Sequence, residues 1–167
     1  VSSNIRLVEG KFQMGAFRSS ERETSVYFDF VEKIASGASY TPNLKISTQA
    51  MDRKDMQRLK DVGLDSLVML MEIWDPRLFA EVCPGKAKTR GREGYVQGFQ
   101  DAVDIFGAGN VGCNFVAGVG LIPANGHKTW QECRDSTVEG YRWMTSHGVF
   151  PSTTPLRMPP GSVYGAD

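Results

Sequence analysis

The chain of 167 residues is long enough for one domain with a real core, and its 41% hydrophobic and 23% charged content is typical of a globular protein. Basic and acidic residues number 19 each, so the net charge is zero and supplies no field for nucleic acid or anionic membrane. No apolar run approaches the roughly 20 residues of a membrane span, and the N-terminus lacks a signal pattern.

The cysteines and the first residue bear on the origin of the chain. Cys83, Cys113 and Cys133 lie far apart, without the spacing of a disulfide framework or a zinc knuckle. We therefore expect free thiols in a reducing, cytoplasmic compartment. The chain begins with Val1 rather than methionine, so we expect a processed or trimmed chain, or a fragment.

Strand-like and helical patterns alternate along the chain. Short apolar and β-branched runs predict strands at residues 4–8, 44–48, 65–72, 110–120 and 149–158. Amphipathic patterns predict helices at residues 20–37, 53–63, 75–83, 95–107 and 126–148. Ser20 and Glu23 form a capping box at the first helix. This alternation predicts an α/β fold with parallel strands and right-handed crossovers.

Local sequence patterns also predict the burial or the boundaries of individual elements. The apolar run 65–72 is typical of a strand covered on both faces. Asp75 and Pro76 predict the cap and first residue of a short helix, and residues 84–94 predict a basic loop. On the last helix we expect a buried side formed by Trp130, Cys133, Val138, Tyr141 and Met144.

The glycine-rich stretch 109–120 poses the first functional question. A dinucleotide fingerprint places its glycines between a strand and a helix, where backbone N–H groups meet a phosphate. Here the glycines alternate with the apolar residues of the strand itself, and no Walker lysine follows. Glycine within a strand permits close approach by a ligand or another backbone, so we expect a pocket wall.

Glu72 is the most informative carboxylate. It stands at the carboxyl end of a buried strand, the end at which parallel α/β proteins place their ligands. A carboxylate buried there needs a partner, either a ligand or a cation of the cluster that follows. That basic cluster, Lys86, Lys88, Arg90 and Arg92, is either solvated or binds a carboxylate or phosphate at the same mouth.

The histidines do not indicate catalysis or metal binding. His127 and His147 stand near a predicted helix start and a helix end, where structural roles are common. Two distant histidines and scattered cysteines form no metal constellation, and no nucleophile motif occurs. From the residues alone, the catalytic group stays unknown.

A family resemblance rests on three segments that follow one another along the chain. They are "RLKDVGLDSLVMLMEIWDPRLFAEVCPGK", "FQDAVDIFGAGNVGCNFVAGVG" and "HGVFPSTTPLRMPPGS". Together they resemble the later part of the barrel in radical S-adenosylmethionine enzymes of the biotin-synthase-like branch. The resemblance covers roughly residues 55–162. It implies a partial parallel (βα) barrel, TIM-like, with about five βα units here, and residues 1–167 as a single domain that forms its C-terminal portion.

The resemblance also implies residues that bind S-adenosylmethionine. Glu72 matches a fourth-strand position that contacts the ribose or the amino group. "NFVAGVG" is similar to the fifth-strand GxIxGxxE pattern beside the adenine, in which Val116 and Gly118 fit. Asn114 and Leu121 replace its first glycine and its glutamate.

Two further contacts follow from the same resemblance. "VFPSTTP", with Ser152 and Thr153, looks like the sixth-strand contact on the adenine side. The family's carboxylate-binding arginine aligns with Gly98, so Arg90 or Arg92 would have to substitute for it.

One departure from the family concerns the cluster. These enzymes hold a [4Fe-4S] cluster through CxxxCxxC after the first strand, and the sequence contains no such motif. If residues 4–8 form the family's second strand, the unit that carries the cluster is the one missing; the Gly-Gly-Glu pattern of that strand is also not seen. We therefore expect the substrate and cofactor side of a radical enzyme whose 5′-deoxyadenosyl radical chemistry depends on a missing N-terminal segment, and a chain inactive by itself.

The expected partners are a small-molecule substrate and either a second copy or the missing segment, which would cover an open barrel edge. We expect no nucleic acid, no membrane and no metal ligands in this chain. Two alternatives remain. One is a cluster-free (βα)-barrel lyase or aldolase with Glu72 as general base; its Schiff-base version is disfavoured because Lys45 stands near a strand start. The other is a non-catalytic half-barrel that pairs with another chain.

Overall fold

A computed structural model describes residues 9–13, 19–37 and 43–157. Its strands are β1 (Glu9–Gln13), β2 (Asn43–Thr48), β3 (Ser66–Glu72), β4 (Val111–Ala117) and β5 (Val149–Pro155). Its helices are α1 (Ser20–Gly37), α2 (Arg53–Asp61), α3 (Phe79–Val82), α4 (Pro84–Thr89), α5 (Gly91–Phe106) and α6 (Trp130–Ser146). A 3-10 helix, Val119–Leu121, follows β4.

The five described strands form one parallel sheet in the order β1-β2-β3-β4-β5. The strand order follows the chain without a reversal. A doubly wound sheet reverses its order at a switch point, whereas a barrel adds each strand beside the last. The predicted fold class, an α/β chain with a partial parallel barrel, is therefore confirmed.

Alternation along each strand separates two faces of the sheet. On β3, Leu67, Met69 and Met71 are fully buried on the outer face. Met69, for example, lies against Gly98 of α5. Val68 and Leu70, of the opposite face, are half-buried and line a cavity. The prediction of a strand covered by protein on both faces is wrong, because only the outer face packs on helices.

Three local expectations are also wrong. Residues 84–94 form helices α4 and the start of α5 rather than a loop. Asp75 does not cap the following helix, which begins at Phe79; its carboxylate accepts hydrogen bonds from Arg77 instead. Of the residues expected on the buried side of the last helix, Trp130 and Val138 are 62% and 37% exposed.

The remaining boundaries lie close to the predictions. Helix α1 spans the predicted residues, and α5 ends beside Gly107 as expected. The predicted strand at residues 4–8 lies outside the described residues. All three cysteines are free and buried. Among the described helices, none combines the length and the apolar content that crossing a bilayer requires.

Gly140 allows α6 to lie close to the buried side chains of Trp74 and Phe115. A Cβ atom added there would lie 2.9 Å from the Cβ and Cγ atoms of Trp74 and 3.0 Å from Phe115. Both neighbours are buried, so neither can move aside cheaply. The packing of α6 over Trp74 and β4 therefore requires glycine at this position.

We predict that Gly140→Ala lowers the free energy of unfolding by about 1–2 kcal/mol, because overpacking outweighs the helix propensity that alanine gains. Gly85→Ala in α4 is the matched control, since nothing lies within 4 Å of its Cβ position. That variant should be neutral or slightly stabilising. Urea unfolding measures both, and a Gly140→Ala protein as stable as the control would contradict the close contact.

Candidate functional site

The inner face of the sheet, away from the helices, lines a polar chamber of about 500 Å³. Every described strand contributes to its wall. The lining residues are Glu9, Lys11, Gln13, Lys45, Ser47, Val68, Leu70, Glu72, Gly112, Asn114, Phe150, Ser152 and Thr154. The volume and the mixture of apolar and polar groups are those of a small-molecule site.

Glu72 enters the chamber through a distortion at the end of β3. Its φ of 71° is the only positive value among the described non-glycine residues. The N–H of Ile73 donates to the carbonyl of Met71 at 3.0 Å, which closes a three-residue turn centred on Glu72. The pairing with β4 shifts at the same point. Positive-φ γ-turns and bulges are strained and occur preferentially at functional sites, where they re-aim a side chain.

Lys86 of α4 holds the Glu72 carboxylate. Its Nζ lies 2.6 Å from Oε1 of Glu72 and 2.5 Å from the carbonyl oxygen of Leu70. The ammonium also lies 5.9 Å from the ring centre of Tyr95. Both charged side chains are largely buried, at 16% and 25% exposed, so the pair is fixed rather than solvated. Lys86 is thus the member of the basic cluster that partners Glu72, one of the two roles expected for that cluster.

Asn114 and Ser152 lie beside Glu72 on the next two strands. The Ser152 hydroxyl donates to the side-chain oxygen of Asn114 at 3.1 Å and to the carbonyl of Cys113 at 3.0 Å. The Asn114 amide donates to Thr154 at 3.2 Å. Three of the residues singled out from the sequence, Glu72, Asn114 and Ser152, therefore share one chamber.

Three other residues singled out from the sequence lie apart from that cluster. Val116 follows Asn114 on the same face of β4, further toward the carboxyl end. Gly118, with φ of 87°, lines a separate apolar pocket of about 280 Å³ against α6. Thr153 points to the helix side, where its hydroxyl bonds with that of Tyr141. Their contacts with a cofactor stay predictions.

Arg90 and Arg92 are engaged outside the chamber. Arg90 binds both carboxylate oxygens of Asp52, at 2.5 and 3.2 Å, and its hydrogen bond lowers the pKa of that carboxyl. Arg92 donates to the carbonyl of Trp74 at 3.1 Å and stacks on its ring at 4.5 Å. Neither lines the chamber described above. Binding of a cofactor carboxylate by either arginine stays a prediction and requires leaving these partners.

Sequence reasoning missed the wall formed by β1 and β2. Lys11, Lys45 and Ser47 face the chamber, and Lys45 binds Glu9 at 3.3 Å. The Ser47 hydroxyl is buried without a hydrogen-bond partner among the described residues. Polar residues at every second position of both strands were the available signal, since they leave one face hydrophilic.

Two of the glycines in residues 109–120 allow close packing. A Cβ atom on Gly112 would lie 3.1 Å from Val68, on the neighbouring strand. One on Gly120 would collide with the His127 ring at 2.5 Å. These contacts agree with the role of a pocket wall that the sequence favoured over phosphate binding.

A second cluster joins the loops after β3 and β4. His127 Nε2 lies 3.0 Å from Oδ2 of Asp75, and both side chains are buried. Arg77 adds two side-chain hydrogen bonds to the same carboxylate. Burial alone would raise the pKa of Asp75, but the hydrogen bonds from Arg77 and His127 outweigh it and lower the pKa to about 2. The ionised carboxylate therefore ties together two loops at the carboxyl edge of the sheet.

The cysteines are isolated thiols. Burial raises the pKa of Cys83 to about 11 and that of Cys113 still further. Cys133 lies on α6, beside the apolar pocket. Within residues 9–13, 19–37 and 43–157, no three histidine, cysteine or acidic side chains gather as metal ligands.

We predict that the Asp75 carboxylate makes stability depend on pH between about 4 and 2. Because its pKa is depressed, the ionised carboxylate stabilises the fold fully above its ordinary pKa of 3.8, and this contribution, about 2 kcal/mol, disappears as pH falls through about 2. Asp75→Asn should be less stable at pH 7 and lack that part of the acid dependence. The control is Asp135→Asn, an exposed carboxylate with one surface ion pair. Urea unfolding from pH 2 to 7 checks both, and parallel curves for Asp75→Asn and wild type would contradict the prediction.

No family model matches the sequence. A curated relative is the bacteriochlorophyllide c C-7(1)-hydroxylase of Chlorobaculum limnaeum, 31% identical over 111 residues. The match covers 66% of this chain and 25% of the hydroxylase.

Two solved structures resemble the fold. Methylornithine synthase superimposes with a TM-score of 0.64 at 17% identity, covering 94% of this chain and 42% of the synthase. The FeFe-hydrogenase maturase HydG from Carboxydothermus hydrogenoformans gives a TM-score of 0.67 at 15% identity, covering 96% and 36%. The chain therefore spans less than half the length of each of these three proteins.

Proposed function

We propose that this chain, which is related to the radical S-adenosylmethionine superfamily, forms the cofactor and substrate side of a radical enzyme. The observation that carries the proposal is the common chamber of Glu72, Asn114 and Ser152. Each was singled out from a different strand by resemblance to that superfamily, and the fold places all three on one inner face. Within the superfamily we assign the chain to the biotin-synthase-like branch, on the order of the three segments that carry the resemblance.

The chamber residues suit S-adenosylmethionine chemically. The Glu72 carboxylate accepts hydrogen bonds from ribose hydroxyls or from an ammonium group, and Lys86 holds it in place. Asn114 and Ser152 offer an amide and a hydroxyl for the remaining polar atoms. When bound, S-adenosylmethionine would supply hydrogen-atom abstraction, chemistry that belongs to the cofactor. The protein binds and orients it and excludes water.

The residues present do not fit a [4Fe-4S] cluster. Such a cluster needs thiolates grouped on one short loop, whereas Cys83, Cys113 and Cys133 lie on three separate elements. The raised pKa values of Cys83 and Cys113 also disfavour thiolates. The proposal therefore requires that residues from outside this sequence supply the ligands of the cluster.

The proposal extends to partners and compartment. Among the described strands, β1 and β5 are at the edges of the sheet, and an exposed edge offers unpaired backbone groups to another strand. We propose that an N-terminal segment or a second copy covers the open edge. Three buried free thiols suit a reducing compartment such as the cytoplasm.

We predict that Glu72→Gln weakens S-adenosylmethionine binding about tenfold, because the charge-assisted hydrogen bonds of the carboxylate are lost. The measurement is calorimetric titration of the natural full-length protein that contains this chain. Glu32→Gln is the matched control, since the Glu32 side chain is exposed on α1 and does not line the chamber. Equal affinities for the two variants would refute the role of Glu72, and no binding by wild type would refute the proposed function.

A further inference from the structure

We propose that Lys11 and Lys45, with Ser47, form an anion subsite at the amino end of the chamber, where it binds a single carboxylate of an elongated small-molecule substrate. The inference rests on the proposed function only in treating the chamber as a ligand site. It adds the substrate's chemical class and orientation.

Charge is the first argument. Lys11 and Lys45 stand directly opposite each other on β1 and β2, and both face the chamber. Two like charges directly opposite are unfavourable on a sheet unless an anion lies between them. Glu9 forms an ion pair with Lys45 at 3.3 Å, and Lys86 forms one with Glu72. Lys11 has no ion-pair partner among the described residues, so one positive charge of the described wall is unmatched by a carboxylate.

Ser47 is the second and independent observation. It follows Lys45 on the same face of β2 and is 1% exposed. Its hydroxyl has no hydrogen-bond partner among the described residues. A buried hydroxyl without a partner is unfavourable, and a bound carboxylate oxygen would accept its hydrogen bond. The two ammonium groups act only as donors and the hydroxyl can donate as well, so together they suit an anion.

The position separates this subsite from the cofactor residues. Lys45 pairs with Ser66 at the start of β3, whereas Glu72 ends that strand. Ser47 pairs with Val68, so at about 3.3 Å per residue the subsite lies about 13 to 20 Å along β3 from Glu72, further than the carboxylate and ribose of one S-adenosylmethionine molecule can span. A ligand anchored at the lysines must therefore extend along the chamber to place its reacting carbon near Glu72. The 500 Å³ volume accommodates such a molecule.

The test uses the natural full-length protein and two probes of equal shape, 4-fluorobenzoate and 4-fluorobenzamide, followed by fluorine NMR. Wild type should bind the benzoate at least tenfold more tightly than the amide. Lys11→Met and Lys45→Met should each weaken benzoate binding about tenfold and leave the amide unchanged. Lys33→Met, on the exposed face of α1, is the charge-matched control and should change neither.

Two further variants should change benzoate affinity in directions that a merely structural role of these residues would not produce. Glu9→Gln removes the carboxylate that competes for Lys45, so it should tighten benzoate binding several-fold. Ser47→Ala removes a buried hydroxyl that has no partner, so it should weaken benzoate binding while keeping or raising the melting temperature. These two variants test the anion subsite even if a lysine variant fails to fold.

Binding of S-adenosylmethionine, measured in parallel, separates the two proposals. The anion subsite stands if the lysine variants lose benzoate and keep the cofactor affinity of wild type. It is overturned if benzoate and benzamide bind alike, if Lys45→Met matches Lys33→Met, or if the lysine variants lose the cofactor as well, since the anion would then be the cofactor's own carboxylate. A wild-type protein that selects benzoate but ignores S-adenosylmethionine refutes the proposed function and supports the subsite.

Discussion

The two-faced sheet is the constraint on which the rest of the structure depends. In β3, Leu67, Met69 and Met71 must leave water, and they do so against the helices on one side. The intervening residues then face the other way, and the strand order gives them a common interior. Because pleating alternates side chains strictly, packing the outer face also decides which residues meet inside. The chamber is thus a consequence of where the core lies.

The carboxyl edge of the sheet departs from regular strand geometry at Glu72, in the wall of the candidate ligand site. The turn at Glu72 bends the end of β3, and Lys86 of the following helix secures its carboxylate. A few residues later, Asp75 and His127 join two loops through a buried pair. A strained residue persists only when its surroundings hold it, and packing together with these ionic contacts provides that support. The edge is consequently both irregular and rigid, as ligand binding requires.

The errors of sequence reasoning have physical causes. Pro84, Gly85 and Gly91 indicated a loop, yet Pro84 is tolerated in the first turn of a helix and tertiary contacts of α4 and α5 outweigh weak glycine propensities. Trp130 was assigned to a buried face by helical spacing, but it stands at the first residue of α6 and is exposed. For Lys45, position along the strand argued against a Schiff-base role, whereas the alternation of side chains across β2 is what places it in the chamber wall.

The sequence by itself determined the strand and helix alternation and the parallel α/β class, and it predicted Glu72, Asn114 and Ser152 as cofactor-binding residues. Those features depend on periodicity and motif, which are local. Only the tertiary structure decided that Lys86 is the partner of Glu72, and that Lys11 and Lys45 share the chamber with them. Register and strand order bring distant residues together, and neither leaves a mark in a single stretch of sequence.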